Sequence, residues 1–287
     1  MVVVQNPAVG RRKLRTTLRR AREAIGWTQE QVAEAMDWSL SKVIRIEAGS
    51  VGVSTNDVKA LLQLYRIDEP EQVGNLVTLA RLSRQRPWWT EHRGLDVGFT
   101  HFLGLEAGAS TIRMFQISMI PGLFQTEAYA RELSADAWIG EPVSPAVVQE
   151  RVTVRLIRQR EILERADPPE LTAVIDEGVL RHLVGDAATM QVQLQRLIAL
   201  AERPHIAFHV VPFTAGVPLH LNSFVILGFP DHDDTDVVYL EGAIDQVVIE
   251  DAPQMRQYGM AFQRLEQKAL DQAASIALIK QVADELR

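Results

Sequence analysis

Residues 28–49, TQEQVAEAMDWSLSKVIRIEAG, constrain the fold more than any other stretch of the chain. Thr28 suits an N-cap, because its hydroxyl accepts a hydrogen bond from a backbone N–H that has no helical partner. Gln29 to Met36 then reads as a helix with Val32, Ala33 and Met36 on one face. Asp37 and Trp38 make a turn. Ser39 caps a second helix that runs to about Ala48, and Gly49 stops it. Val43 and Ile46, three apart, share the inward face of that helix. Two helices that cross at about a right angle need a small side chain where they touch, and Ala33 supplies one. The spacing predicts a helix-turn-helix unit. The alternative is an amphipathic helix pair inside some other helical bundle.

In a helix-turn-helix unit the N-terminal part of the second helix enters the major groove of double-stranded DNA. That part carries Ser39, Leu40, Ser41, Lys42 and Arg45. Arg and Lys reach guanine edges or phosphates, and Ser bonds either. Lys42 and Arg45, with Ser41, are therefore the candidate base contacts. Thr28, Gln29, Ser54 and Thr55 are the candidate phosphate contacts, the last two at the N-terminus of a further helix.

The flanks supply the rest of a helical domain. From Arg11 to Arg22 there are seven basic residues and no acid, while Leu14, Leu18, Ala21 and Ile25 recur at helical spacing. The basic residues are expected mostly on the outer face of a first helix, against phosphates or simply in water. Ser54 caps a fourth helix with Val58, Leu61, Leu62 and Leu64 on its apolar side. Asp68 or Glu69 opens a fifth, with Val73, Leu76, Val77, Ala80 and Leu82 inward. On Thr28, Gln29, Ala33, Val43, Ile46 and the closing IEAG, the segment from about Arg12 to Ser83 resembles the lambda-repressor-like helix-turn-helix domain of the Xre type. The chain has Asp37 where members often have Gly at the turn, and Leu40 where many have Gln or Arg.

Composition supports a two-part chain. The net charge of −7 divides unevenly: residues 1–94 hold 15 Lys+Arg against 10 Asp+Glu, and residues 95–287 hold 15 against 27. A basic head on an acidic body suggests that only the head meets a polyanion. The absence of cysteine removes disulfides, thiolate metal sites and a cysteine nucleophile together. The start, MVVVQNPAVGRRKLR, places apolar residues before basic ones, the reverse of a signal peptide. No stretch approaches the roughly 18 apolar residues of a spanning helix. The expectation is a cytoplasmic protein that does not enter a membrane.

The expected organisation is an N-terminal arm at 1–10, the DNA-binding domain at 11–84, a connector at 85–101 and a second domain at 102–287. Ser110 to Ile117 alternates and is rich in β-branched residues, so it reads as a strand. Pro121-Gly122 is a turn, and Thr126 caps a helix through about Trp138. A long helix with five arginines covers 146–165. Later strands are expected at 171–175, 206–211, 224–227, 237–241 and 246–249, with closing helices at 252–270 and 275–286. The fold class is an all-α five-helix head followed by an α+β domain with a mixed sheet.

The second domain offers no HExxH, GxSxG or phosphate loop. His205 and His209 are four apart in a strand, without a third metal ligand at suitable spacing. Asp231, His232, Asp233, Asp234 and Asp236 form an acidic loop that reads as a divalent-cation site or as a solvated hairpin. Asp176 with Glu177 reads as an acid/base pair or as a helix cap. No catalytic residue, cofactor or metal is assigned, and the chain is expected not to be an enzyme.

The pieces SMIPGLFQTEAYAREL, RLIRQREIL, VIDEGVLRHLVG, QLQRLIALA, HVVPFTAG and VVYLEG resemble the uncharacterised domain that follows the helix-turn-helix in a large group of actinobacterial regulators. That resemblance covers about 102–285. It implies a transcription factor with a small companion protein encoded nearby, and it gives no catalytic residue and no established ligand. The leading expectation is a dimeric, sequence-specific DNA-binding regulator whose second domain binds a protein partner or a small-molecule effector. Gln125, Glu127 and Tyr129, in and after PGLFQT, are the candidate effector or partner residues. The other readings are an enzyme or metal-binding domain fused to a DNA-binding head, and the antitoxin half of a two-protein pair.

Overall fold

A computed structural model describes residues 7–47, 51–84, 87–92, 94–136, 142–216, 222–230, 235–242 and 246–286. The chain divides into two compact units, 1–93 and 94–287. Among the described residues no helix is long and apolar enough to cross a membrane.

Unit 1 holds α1 (Pro7–Ala24), α2 (Gln29–Ala35), α3 (Leu40–Glu47), α4 (Thr55–Leu64) and α5 (Pro70–Leu82). Their inward faces form one core that includes Leu14, Leu18, Val32, Ala33, Val43, Ile46, Val58, Leu61, Leu62, Leu76 and Ala80. The expected caps form: Thr28 accepts from the Gln31 N–H, Ser54 from the Asp57 N–H, and Glu69 from the N–H groups of Glu71 and Gln72. Thr28 and Gln31 complete a capping box. Residues 7–10 differ from the expected arm. They are the first turn of α1, with Pro7 at a helix start where its missing N–H costs nothing. The expected stop at Gly49 lies outside the described residues. A four-residue 3₁₀ turn, Trp88–Glu91, ends the unit and buries Trp89.

Unit 2 begins with a helix that the sequence pattern does not announce. α6 (Val97–Glu106) starts inside the expected connector, with Asp96 accepting from the N–H groups of Gly98 and Phe99. It buries Phe102, Leu103 and Leu105 together, so no single apolar stripe marks it. The order then runs β1 (Thr111–Gln116), α7 (Glu127–Ala135), α8 (Pro145–Leu163), β2 (Glu170–Asp176), α9 (Glu177–Arg181), α10 (Ala187–Leu200), β3 (Ile206–Val211), β4 (Phe224–Gly228), β5 (Val237–Glu241), β6 (Gln246–Ile249), α11 (Ala252–Lys268) and α12 (Gln272–Glu285).

The six strands form one mixed sheet in the order β3-β2-β1-β4-β5-β6. β1, β2 and β3 run parallel, with Met114 opposite Ala173 and Ala173 opposite Phe208. β4, β5 and β6 add antiparallel. Alternation sorts the side chains between two faces. Ile112, Met114, Leu171, Ala173, Ile175, Phe208, Val225 and Tyr239 join a large core with α6, α7, α10 and α12. Phe115, Val174, Val211, Phe224 and Val238 join a smaller core with Phe262 and Leu265 of α11.

Between β1 and α7 the chain passes through the core as an irregular turn, residues 120–126. Buried backbone polar groups need partners, and glutamines provide them. Gln159 of α8 donates to the carbonyls of Gly122 (2.7 Å) and Gln125 (2.9 Å). Gln193 of α10 donates to Phe124 O and accepts from Thr126 N–H. Gln125 donates to Ile120 O, and the Tyr129 hydroxyl accepts from Ile120 N–H. Gln159→Leu removes the donor for two buried carbonyls and is expected to cost on the order of 2–4 kcal/mol, read as a lowered denaturant midpoint. Glu161, two residues further along α8, is exposed. Glu161→Gln serves as the control and is expected to stay within about 0.5 kcal/mol of the parent.

Candidate nucleic-acid interface

The second helix of the helix-turn-helix, α3, is fixed from behind by a buried ion pair. Arg22 of α1 holds Glu47 through Nε to Oε1 (2.7 Å) and Nη2 to Oε2 (3.0 Å), and its Nη1 donates to Trp27 O (2.6 Å). The side chains are 10% and 6% exposed, so water screens the pair little. The bond to Glu47 raises the Arg22 pKa above its ordinary value. Gln29 joins from α2 by donating to Glu47 Oε2 at 2.8 Å. One carboxylate therefore ties three helices together.

The turn between α2 and α3 carries a backbone feature that the sequence foreshadows. Asp37 has φ +53°, the left-handed region in which glycine is favoured and Asp is tolerated. Asp thus holds the conformation for which a glycine is the common choice. The Trp38 N–H that follows donates to Ala33 O at 2.9 Å.

The outward face of α3 carries Leu40 and Ile44, which are 37% and 43% exposed. Ser41 and Arg45 lie on the same exposed side, with Arg45 Nε donating to Ser41 O at 3.1 Å. Ser39 takes the capping position, its hydroxyl accepting from Lys42 N–H at 3.3 Å and lying 3.4 Å from the Ser41 hydroxyl. Lys42 is held in place: its ammonium lies 3.4 Å from Asp57 and 3.5 Å from the centre of the Trp38 ring. Sequence reasoning misses Ile44, although its position between Val43 and Arg45 places it on the outer side.

Several candidate residues have structural work of their own. The hydroxyls of Thr28 and Ser54 serve as caps, and the Gln29 amide is spent on Glu47. Thr55 opens α4. The expectation that the basic residues of α1 sit mostly outside needs correction: Arg12 and Arg22 are 7% and 8% exposed. Arg11 also turns inward enough for its Nη2 to donate to Ser83 O. Amphipathic spacing alone does not separate a snorkelling arginine from a solvated one.

In unit 2, of the three candidate effector or partner residues, Gln125 and Tyr129 are buried and Glu127 is exposed, and Gln125 lines an internal cavity. Glu127 is exposed and pairs with Arg131 at 2.8 Å. Asp176 caps α9 through Gly178 N–H, while Glu177 pairs with Arg181 and accepts from Phe213 N–H. His209 Nδ1 lies 3.1 Å from Leu270 O. Of the acidic loop, residues 231–234 lie outside the described residues, and Asp236 pairs with Arg113 at 2.8 Å. Among the described residues no group of three or more His, Asp or Glu side chains is placed to hold a metal ion.

Two family models match the chain. Residues 13–73 match a helix-turn-helix domain, and residues 99–281 match a domain of unknown function, DUF5753. No curated protein and no solved structure matches.

Glu47→Ala leaves Arg22 charged and buried with only Glu23, at 3.5 Å, as a carboxylate partner. It is expected to destabilise unit 1 by about 3–5 kcal/mol. Tryptophan fluorescence reads this directly, since Trp27, Trp38, Trp88 and Trp89 all belong to unit 1.

Proposed function

The chain belongs to the DUF5753 domain family, and from that premise we propose that it is a dimeric, sequence-specific transcriptional regulator with a DNA-reading head and an effector- or partner-binding body. The helix-turn-helix match supports DNA binding and regulation. The single observation that carries the reading is the exposed face of α3: Leu40, Ser41, Ile44 and Arg45 project outward while Glu47 anchors the helix from behind. A reading helix must be rigid and must present polar and apolar groups that fit base edges. Leu40 and Ile44 suit thymine methyl groups, and Arg45 suits a guanine.

A dimer suits such heads, because two reading helices about 34 Å apart address successive turns of a near-palindromic site. Unit 2 then serves as the binding body rather than as an enzyme. Asp176 caps α9 through Oδ1, with Oδ2 buried and unpartnered, and Glu177 pairs with Arg181, which supports a structural role for Glu177 and for one oxygen of Asp176. An Xre-type, actinobacterial regulator with a small companion protein is the form of this proposal that the sequence resemblance implies.

Arg45→Ala is expected to weaken binding to the preferred site by on the order of 1–3 kcal/mol and to relax preference at one base position. Fluorescence anisotropy on the selected duplex and its single-base variants checks this. Wild-type affinity in Arg45→Ala would place the reading face elsewhere.

A further inference from the structure

Unit 2 contains a cavity of about 470 Å³ beneath the antiparallel half of the sheet, within the size range of small-molecule sites. Its floor and walls are apolar in part, with Phe99, Phe102 and Met114 lining it. The Phe102 and Tyr239 rings stack with centroids 3.9 Å apart. Two arginines of α8 reach the same cavity and are treated differently. Arg158 is neutralised by the buried Glu106 through two bonds of 2.6 Å. Arg155, one turn earlier, donates to the neutral Gln125 amide, and among the described residues no carboxylate lies within ion-pair distance of it. Burial, with the nearby Arg158 charge and against the opposing charge of Glu241, pushes the Arg155 guanidinium down to about 10, so it stays protonated at neutral pH.

Two polar atoms on the same cavity are buried without a hydrogen-bond partner: the Tyr239 hydroxyl and Gln246 Oε1. Burial, with the charge of Glu241, raises the Tyr239 pKa and keeps its hydroxyl a proton donor. Buried polar atoms left unpaired are costly. With Arg155 beside them, they offer a ligand in the cavity three hydrogen-bonding positions. Asp96 and Glu241 also line the cavity. Asp96 is committed to the N-cap of α6. Glu241 is exposed, with Arg151 likewise exposed.

We propose that this cavity binds a small monocarboxylate with an apolar body. The carboxylate receives the Arg155 guanidinium and the Tyr239 hydroxyl, and the body lies against Phe99 and Phe102. A guanidinium fork fits the planar carboxylate geometry. A donor on the ligand, such as a hydroxyl or amine, would satisfy Gln246 Oε1. The proposal deepens the reading of unit 2 as the effector-binding body and rests on it.

The test uses the full chain without DNA. Calorimetric titration with 3-phenylpropanoate and decanoate is compared with titration by their uncharged amides and by inorganic phosphate. The expected result is saturable one-to-one binding of a carboxylate, about tenfold or more tighter than its amide. Arg155→Met is expected to abolish that preference at some cost in melting temperature, since it also leaves the buried Gln125 Oε1 without its donor. Tyr239→Phe, which deletes only the unpaired hydroxyl, is expected to weaken the carboxylate several-fold with an unchanged melt. Absence of carboxylate binding, equal binding of the amide, binding of phosphate alone, or parental carboxylate affinity in either folded variant overturns the proposal. Because no DNA is present, such a failure leaves the DNA-reading head untouched, and failure of that head would leave this result standing.

Discussion

A turn that crosses a hydrophobic core and cannot satisfy all of its own backbone groups must have the remaining hydrogen bonds supplied from elsewhere, and unit 2 is arranged around that requirement. Gln159 and Gln193 reach from α8 and α10 to the carbonyls of Gly122, Phe124 and Gln125. These bonds fix the rotation of α8 about its axis. Arg155 and Arg158 lie four residues and one residue before Gln159 on the same helix, so satisfying the turn also sets where the two guanidiniums fall. Glu106 of α6 then neutralises one of them and leaves the other facing the cavity. The different pairing of the two arginines is thus a consequence of how the turn is held.

Unit 1 solves a related problem with an ion pair. A short reading helix has little apolar surface with which to fix its own orientation. Glu47 sits at its C-terminal end and receives Arg22 and Gln29 from two other helices. Leu40, Ser41, Ile44 and Arg45 then face outward. Lys42 is the exception, since Trp38 and Asp57 hold its ammonium. Its contribution to a DNA complex would require those contacts to be shared or exchanged, whereas Ser41, Ile44 and Arg45 already lie on the exposed side.

The helical head is legible in the sequence because its signals are local. Val32, Ala33, Val43 and Ile46 are buried as their spacing requires, and Thr28, Ser54 and Thr126 cap the helices they are expected to cap. The mixed sheet is legible from alternation and β-branched runs. What escapes depends on contacts distant in sequence. Arg22 and Glu47 are 25 residues apart, so nothing near Arg22 marks it as buried. α6 hides in an aromatic stretch because it is apolar on more than one side. Gln125 and Tyr129 look like surface chemistry until the turn that needs them is seen. Arg155 is one of five arginines in the 146–165 stretch, and only its lack of a described carboxylate partner distinguishes it from Arg158.

In the proposed function this chain reads a defined DNA sequence as a pair. The most direct measurement is selection from a random duplex library with the purified full chain at two salt concentrations. A paired reader is expected to enrich one near-palindromic motif with half-sites about one helical turn apart, at both concentrations and bound more weakly at the higher one. Diffuse, salt-sensitive binding with no enriched motif would contradict it, and would reduce the head to a non-specific anchor.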